Sequence, residues 1–207
     1  MKLFLSAALF GLCMTPIHAE EVPFLKNSAI FGSLLSYGFA AMNKDNFQAC
    51  SPTRKASIQN GSDEELSSVS LGITFSDCAL KQTVQPLGLQ FIVSQTAMAS
   101  SWSSHSGPGA SALTELTFVP KVQYVLPYKN LRWDITMGVG ISLLSKSSIG
   151  SREKSTNFQF SDEIGLGVSD TSDKLRVGFT YRHISNLGIA LPNNAVDFKG
   201  LTLSYKL

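Results

Sequence analysis

What the chain has little of narrows its function first. Charge is sparse: 17 Lys and Arg and 15 Asp and Glu in 207 residues, a formal net charge of +2, and no basic block. A nucleic-acid partner, which needs a concentrated basic surface, is therefore disfavoured. Beyond residue 19 there is no apolar run of about 18 residues, the length a membrane helix needs. The nearest candidate, Ala29 to Met42, is too short. Histidine is rare, with three in the chain, and no HExxH spacing occurs. G-x-S-x-G and phosphate-cradling glycine loops are also missing. No metal or cofactor is called for by any motif. Three cysteines are present, of which Cys13 lies in the leader-like segment and lacks the small residues that precede a lipid-attachment cysteine.

Residues 1–19 have the layout of a secretory signal peptide: Lys2, then the apolar run "LFLSAALFGLCM", then a small residue at Ala19. Two cysteines, Cys50 and Cys78, remain after it. In an oxidising compartment that even pair predicts one disulfide.

From about residue 50 the dominant signal is alternation, the signature of strands with two different faces. In "RWDITMGVGISLL" the residues Trp133, Ile135, Met137, Val139, Ile141 and Leu143 share one face. Arg132, Asp134, Thr136, Gly138, Gly140 and Ser142 share the other. The same pattern runs through "ELTFVPKVQYVL", "FQFSDEIGLGV", "LRVGFTY" and "LTLSYKL", and earlier through "SVSLGITF" and "LGLQFIV". The polar faces carry Glu115, Lys121, Arg132, Asp134, Glu163, Arg176 and Arg182, of both signs. Several connections alternate short and long, and strands near ten residues suit a tilted span. These features predict an all-β fold: an eight-stranded antiparallel transmembrane β-barrel, its interior filled by pairing inward charges, and so not a pore.

Seven strands are clear from residue 66 onward. Thr53 to Gly61 and Ala29 to Met42 compete for the eighth. A first strand at Thr53 puts Cys50 and Cys78 at the same, periplasmic end. The alternative puts them on opposite sides of the membrane, which forbids a disulfide. The division expected is a signal peptide over 1–19, a periplasmic and partly helical extension over 20–51, and a barrel over 52–207.

The stretch "YRHISNLGIALPNNAVDF" carries the chemistry. His183 and Ser185 are two apart on a strand and share a face, about 6.6–6.8 Å apart along the chain. That face continues Leu175, Val177, Phe179 and Tyr181, so both point outward. Asp197 has the outward parity of Leu201, Leu203 and Tyr205. All three then lie at the upper rim, where ionisable groups facing lipid need a reason. An acid that holds an imidazole, whose other nitrogen takes a serine proton, is one such reason. His18 leaves with the leader, and His105 lies in a loop without a matching acid.

The segment "HISNLGIALPN", followed by an acid, resembles the lipid A 3-O-deacylase (PagL) family of Gram-negative outer membranes. "FQFSDEIGLGV" and "FVPKVQYVLPY" are similar to the family's preceding and middle strands. The resemblance covers residues 53 to 207 and is strongest in the last fifty. It implies an outer-membrane esterase that removes the 3-linked hydroxyacyl chain from lipid A without a cofactor. Its partners would be lipopolysaccharide and outer-membrane lipids, and a homodimer is allowed. By position His183 resembles the general base, Ser185 the nucleophile and Asp197 the orienting acid. Asn186 and Asn193 fall at family asparagines as oxyanion-hole candidates, Asn186 the better placed. Gly188 matches a glycine that lets backbone come close. Aspartate replaces the family's usual glutamate, which implies a longer bond to His183 or a backbone shift, and the resemblance predicts retained or raised activity for Asp197→Glu. A non-enzymatic barrel, adhesin or stabiliser, explains the strands but not the outward triad. An outer-membrane phospholipase needs about twelve strands, more than this chain holds.

Overall fold

The structure is a computed structural model that describes residues 23–81 and 89–207. The leader expected over 1–19 lies outside the described residues. Eight long strands build the fold: β1 (Ser51–Ser62), β2 (Leu66–Ala79), β3 (Gln90–Ser104), β4 (Ala112–Tyr128), β5 (Leu131–Leu144), β8 (Phe158–Asp170), β9 (Leu175–Ser185) and β10 (Val196–Lys206). A two-stranded hairpin, β6 (Ser148–Ile149) and β7 (Arg152–Glu153), belongs to the connection after β5. The long strands close on themselves in the order β1-β10-β9-β8-β5-β4-β3-β2, every pairing antiparallel. Closure removes the sheet edge, whose free amides and carbonyls have no partner in hydrocarbon.

Period-2 alternation decides what faces where. Outward residues such as Leu71, Phe118, Trp133, Ile141, Leu166, Val177 and Leu203 are exposed and form the apolar belt of a membrane-spanning barrel. Inward residues fill the lumen. Near the end that carries residues 186–195, here the outer end, Leu66, Trp102, Leu113, Leu144, Ile149, Ile184, Val196 and Phe198 make an apolar plug. Below it lie paired charges: Arg182 with Glu115 at 3.1 Å, Lys121 with Glu163 at 2.5 Å, and Arg176 with Asp134 at 2.6 Å. Glu115 also accepts from Trp102 Nε1 at 2.8 Å and Ser142 Oγ at 2.6 Å. Arg132, at the inner end, donates to the Gln90 side chain at 3.2 Å and has no carboxylate partner among the described residues. The polar space left among these groups is about 70 Å³, too little for a channel.

The first strand is the segment at Thr53, and Cys50 and Cys78 form the disulfide. The loop alternation is less regular than the sequence suggests. The turn from β1 to β2 at the outer end takes only residues 63–65, while the inner connection from β2 to β3 occupies 80–89.

Residues Pro23–Met42 form a helix, α1. Among the described residues no helix is long and apolar enough to cross a membrane. α1 lies along the outside of the barrel over β5, β8 and β4. Small residues face the wall: Ala29, Ser33 and Ser36 are buried. Phe31, Leu34, Leu35 and Met42 face away and are exposed. Near its C-terminal end Phe39 meets Phe91 edge-on at 5.3 Å. There it joins a cluster of Leu80, Phe91 and Val122 at the inner end of the barrel. Val122 and Tyr124 therefore keep their outward direction but are covered.

Candidate active site

β9 is the strand that carries the site, and its alternation does two jobs. Arg182 and Ile184 turn inward to the Glu115 pair and the apolar plug. His183 and Ser185, between them and beyond, turn outward at the outer end. The inward residues thus anchor the strand from which the outward ones project.

His183 Nε2 is 3.1 Å from Ser185 Oγ, and its Nδ1 is 2.6 Å from Asp197 Oδ1. The reach of the short acid follows from register: Asp197 on β10 lies directly opposite His183. Cβ atoms of such a pair are about 4.5–5.5 Å apart, which an aspartate and an imidazole span without backbone movement. The longer bond expected for aspartate is not found. The Tyr181 hydroxyl donates to the same Asp197 Oδ1 at 2.9 Å, an additional restraint that parity already placed on this face.

The outward placement holds, but the residues do not sit open to lipid. His183 and Ser185 are each only 2% exposed. An open cleft of about 1020 Å³ reaches them, bounded by the outer end of β1, the loop 186–195, β10 and the first turns of α1. The β6–β7 hairpin helps hold that loop. Lys154 Nζ donates to the Ile184 carbonyl at 3.2 Å and the Asn194 carbonyl at 2.9 Å. Burial pushes the Lys154 ammonium down to about 8.

The loop itself distributes its donors differently from the sequence expectation. Both hydrogens of the Asn186 side-chain amide are used, toward Ser155 Oγ at 2.8 Å and the Ala190 carbonyl at 2.7 Å. Its Oδ1 accepts from the Gly188 N–H at 2.9 Å. Asn186 is a brace of the loop, with no side-chain donor left for a ligand. Its backbone N–H goes to Asn193 Oδ1 at 3.1 Å, which leaves the Asn193 Nδ2 group on the cleft wall. Gly188 has φ +75° and nothing within 4 Å of a Cβ position. The left-handed turn favours glycine there. Leu187, also left-handed at φ +56°, aims its backbone N–H at Ser185 Oγ, 3.4 Å away. A backbone amide has no residue-type signature, and sequence reasoning had no signal for it.

Asp162 was also missed. It lies on β8, opposite His183 on the side away from Asp197. It is 1% exposed, and neither carboxylate oxygen has a hydrogen-bond partner among the described residues. Its outward parity with Ile164 and Leu166 was available in "FQFSDEIGLGV", but its neighbour on the next strand was not. His105 stays remote, beside Ser67 in the outer loop. Among the described residues no group of three His, Cys, Asp or Glu is arranged to hold a metal.

A crystal structure titled as the outer-membrane enzyme PagL superposes with a TM-score of 0.65 at 20% identity, over 74% of this chain and 99% of that one. Lipid A deacylase PagL of Bordetella bronchiseptica is 31% identical over 108 residues, 52% of this chain. The aligned part spans 58% of that relative's length. The family model described as lipid A 3-O-deacylase (PagL) matches residues 68–206, and on that match this chain belongs to the lipid A 3-O-deacylase (PagL) family.

Proposed function

We propose that this chain is an outer-membrane esterase that removes the 3-O-linked hydroxyacyl chain from lipid A through a serine nucleophile. The observation that carries the reading is the hydrogen-bonded series Ser185, His183, Asp197 on the outward face of a membrane barrel, at the outer end. Acyl esters of a lipid in the outer leaflet lie near that depth, so the substrate need not leave the membrane.

The chemistry follows from the atoms. His183 Nε2 takes the Ser185 proton as Oγ attacks the ester carbonyl, and the ring becomes an imidazolium. Asp197, at 2.6 Å from Nδ1, stabilises that cation and fixes the tautomer. The oxyanion is received by the Leu187 backbone N–H, which stands beside Ser185 Oγ, and by Asn193 Nδ2. Losing one such donor typically costs about 10²–10³ in rate. The tetrahedral intermediate collapses as His183 returns the proton to the sugar oxygen, which leaves. Water then attacks the acyl-serine with His183 again as base, and the hydroxy fatty acid departs. These steps call on no metal or cofactor.

The test is mass spectrometry of lipid A from cells that make the wild-type chain or Ser185→Ala. Wild type is expected to remove one hydroxyacyl group, and Ser185→Ala none, at equal amounts of folded barrel. Unchanged lipid A with the wild-type chain, or equal loss with both, would overturn the reading.

A further inference from the structure

The cleft is bounded asymmetrically. β9, β10, the outer end of β1 with the turn after it, Arg152 of the β6–β7 hairpin and the loop 186–195 line it, together with Lys26 and Asn27 of α1. None of the residues that line it comes from β4, β5 or β8, the strands that α1 covers. The helix therefore stands where the cleft would otherwise run on across the barrel wall toward β8.

Several observations hold α1 in that place. Pro120 in β4 has no N–H, and the β4–β5 ladder is interrupted between Phe118↔Ile141 and Lys121↔Gly138. The Tyr37 hydroxyl fills the interruption. It accepts from the Val139 N–H at 3.1 Å and donates to the Pro120 carbonyl at 2.6 Å. In hydrocarbon, backbone groups left open there would be costly, so the barrel wall gains from the helix as the helix gains from the wall. Ser36 Oγ meets Tyr124 Oη at 2.8 Å. Gly32 sits so close that a Cβ would stand 2.4 Å from the Met137 sulfur. Small and hydroxyl-bearing residues toward a partner, with Phe31, Leu34 and Leu35 away from it, is the arrangement of helices that pack within a membrane. At the opposite end Lys26 lines the cleft together with His183 and Asp197. The family model begins at residue 68, so α1 lies outside it.

We propose that α1 is a fixed side wall of the cleft, docked at membrane depth on the outside of the barrel, and that it decides which ester of a multiply acylated lipid reaches Ser185. With the β8 side closed, an acyl chain approaches only over β9, β10 and β1. One ester is presented to the hydroxyl while chains attached elsewhere on the same headgroup are held off. The selectivity role rests on the deacylase reading; the docking does not.

The full-length protein in membranes is the sample for the test. A photo-crosslinking benzoylphenylalanine in place of Phe39 is expected to join the barrel peptide that contains Phe91. The same group in place of Leu35, which faces away, is expected to join no barrel peptide. Gly32→Leu with Ser36→Leu should abolish the first crosslink while the barrel keeps its heat-modifiable gel mobility. The same variant should release further fatty acids from lipid A beside the single hydroxyacyl chain. If the double change prevents folding, Tyr37→Phe, which removes only the bridging hydroxyl, takes its place. Absence of the Phe39 crosslink in the otherwise native chain would overturn the docking. An undocked variant that still releases the single chain would overturn the selectivity role. A chain that crosslinks but cleaves nothing would overturn the deacylase reading and leave the docking standing.

Discussion

Asp197→Ala removes the acid and leaves nucleophile and base in place, so its effect can be sized from the geometry. Asp197 Oδ1 accepts from His183 Nδ1 at 2.6 Å and from the Tyr181 hydroxyl at 2.9 Å. As Ser185 loses its proton the ring gains a positive charge, and the first of these bonds becomes an ion pair. A hydrogen bond to a charged group contributes about 1.5–3 kcal/mol. At about 1.36 kcal/mol per factor of ten, that is about 10- to 160-fold in kcat. The Asp197 side chain is 27% exposed, so water replaces part of what is lost, and the lower half of that range is expected. KM should hold, because the acid acts mainly on the ring charge that forms only during the reaction. Asp197→Glu should not exceed wild type: the shorter acid already makes full contact, and another methylene must fold away from a ring it would otherwise overrun. The assay is the initial rate of hydroxy fatty acid release from micellar lipid A across substrate concentrations. An unchanged kcat for Asp197→Ala, or a glutamate variant faster than wild type, would refute the reasoning.

Reducing the Cys50–Cys78 disulfide, which spans a sequence separation of 28, should lower barrel stability by about 3–4 kcal/mol in the chain-entropy model. Urea unfolding followed by gel mobility, with and without reductant, measures it. Lys154 should make stability rise as pH is raised from about 8 toward 10.5. Its folded-state value is depressed, so the unfolded chain binds the extra proton in that window, worth about 3 kcal/mol in total. Unfolding midpoints at the two ends should differ for wild type and converge for Lys154→Met. Purified protein in planar bilayers should pass no steady ion current, since the space among the inward charges is only about 70 Å³.

Much of the barrel was legible because the strand period is local. Whether a residue of β9 points in or out follows from counting by two along the strand, and no distant contact can change it. Val177, Phe179, His183 and Ser185 therefore share a face by chain geometry alone. Placing Cys50 and Cys78 at one end needed only the number of strand crossings between them. The resemblance in "HISNLGIALPN" then pointed to three residues that the structure brings within hydrogen-bond reach.

What only the tertiary structure decided depends on which elements become neighbours. Register across β8, β9 and β10 sets Asp162 and Asp197 on either side of His183, and the same register lets an aspartate reach where a glutamate was expected. The occupied amide of Asn186 and the Leu187 N–H aimed at Ser185 depend on how the loop residues fold back on Ser155 and Ala190. Residues 20–51 were expected as a periplasmic, partly helical extension, and the seat of 23–42 along the outside of the barrel, from the inner cluster to the cleft, was not legible. It depends on one hydroxyl, that of Tyr37, meeting a gap left by one proline 83 residues away. Strand direction is written in the local period of the chain, whereas contacts between such distant residues exist only once the barrel has closed.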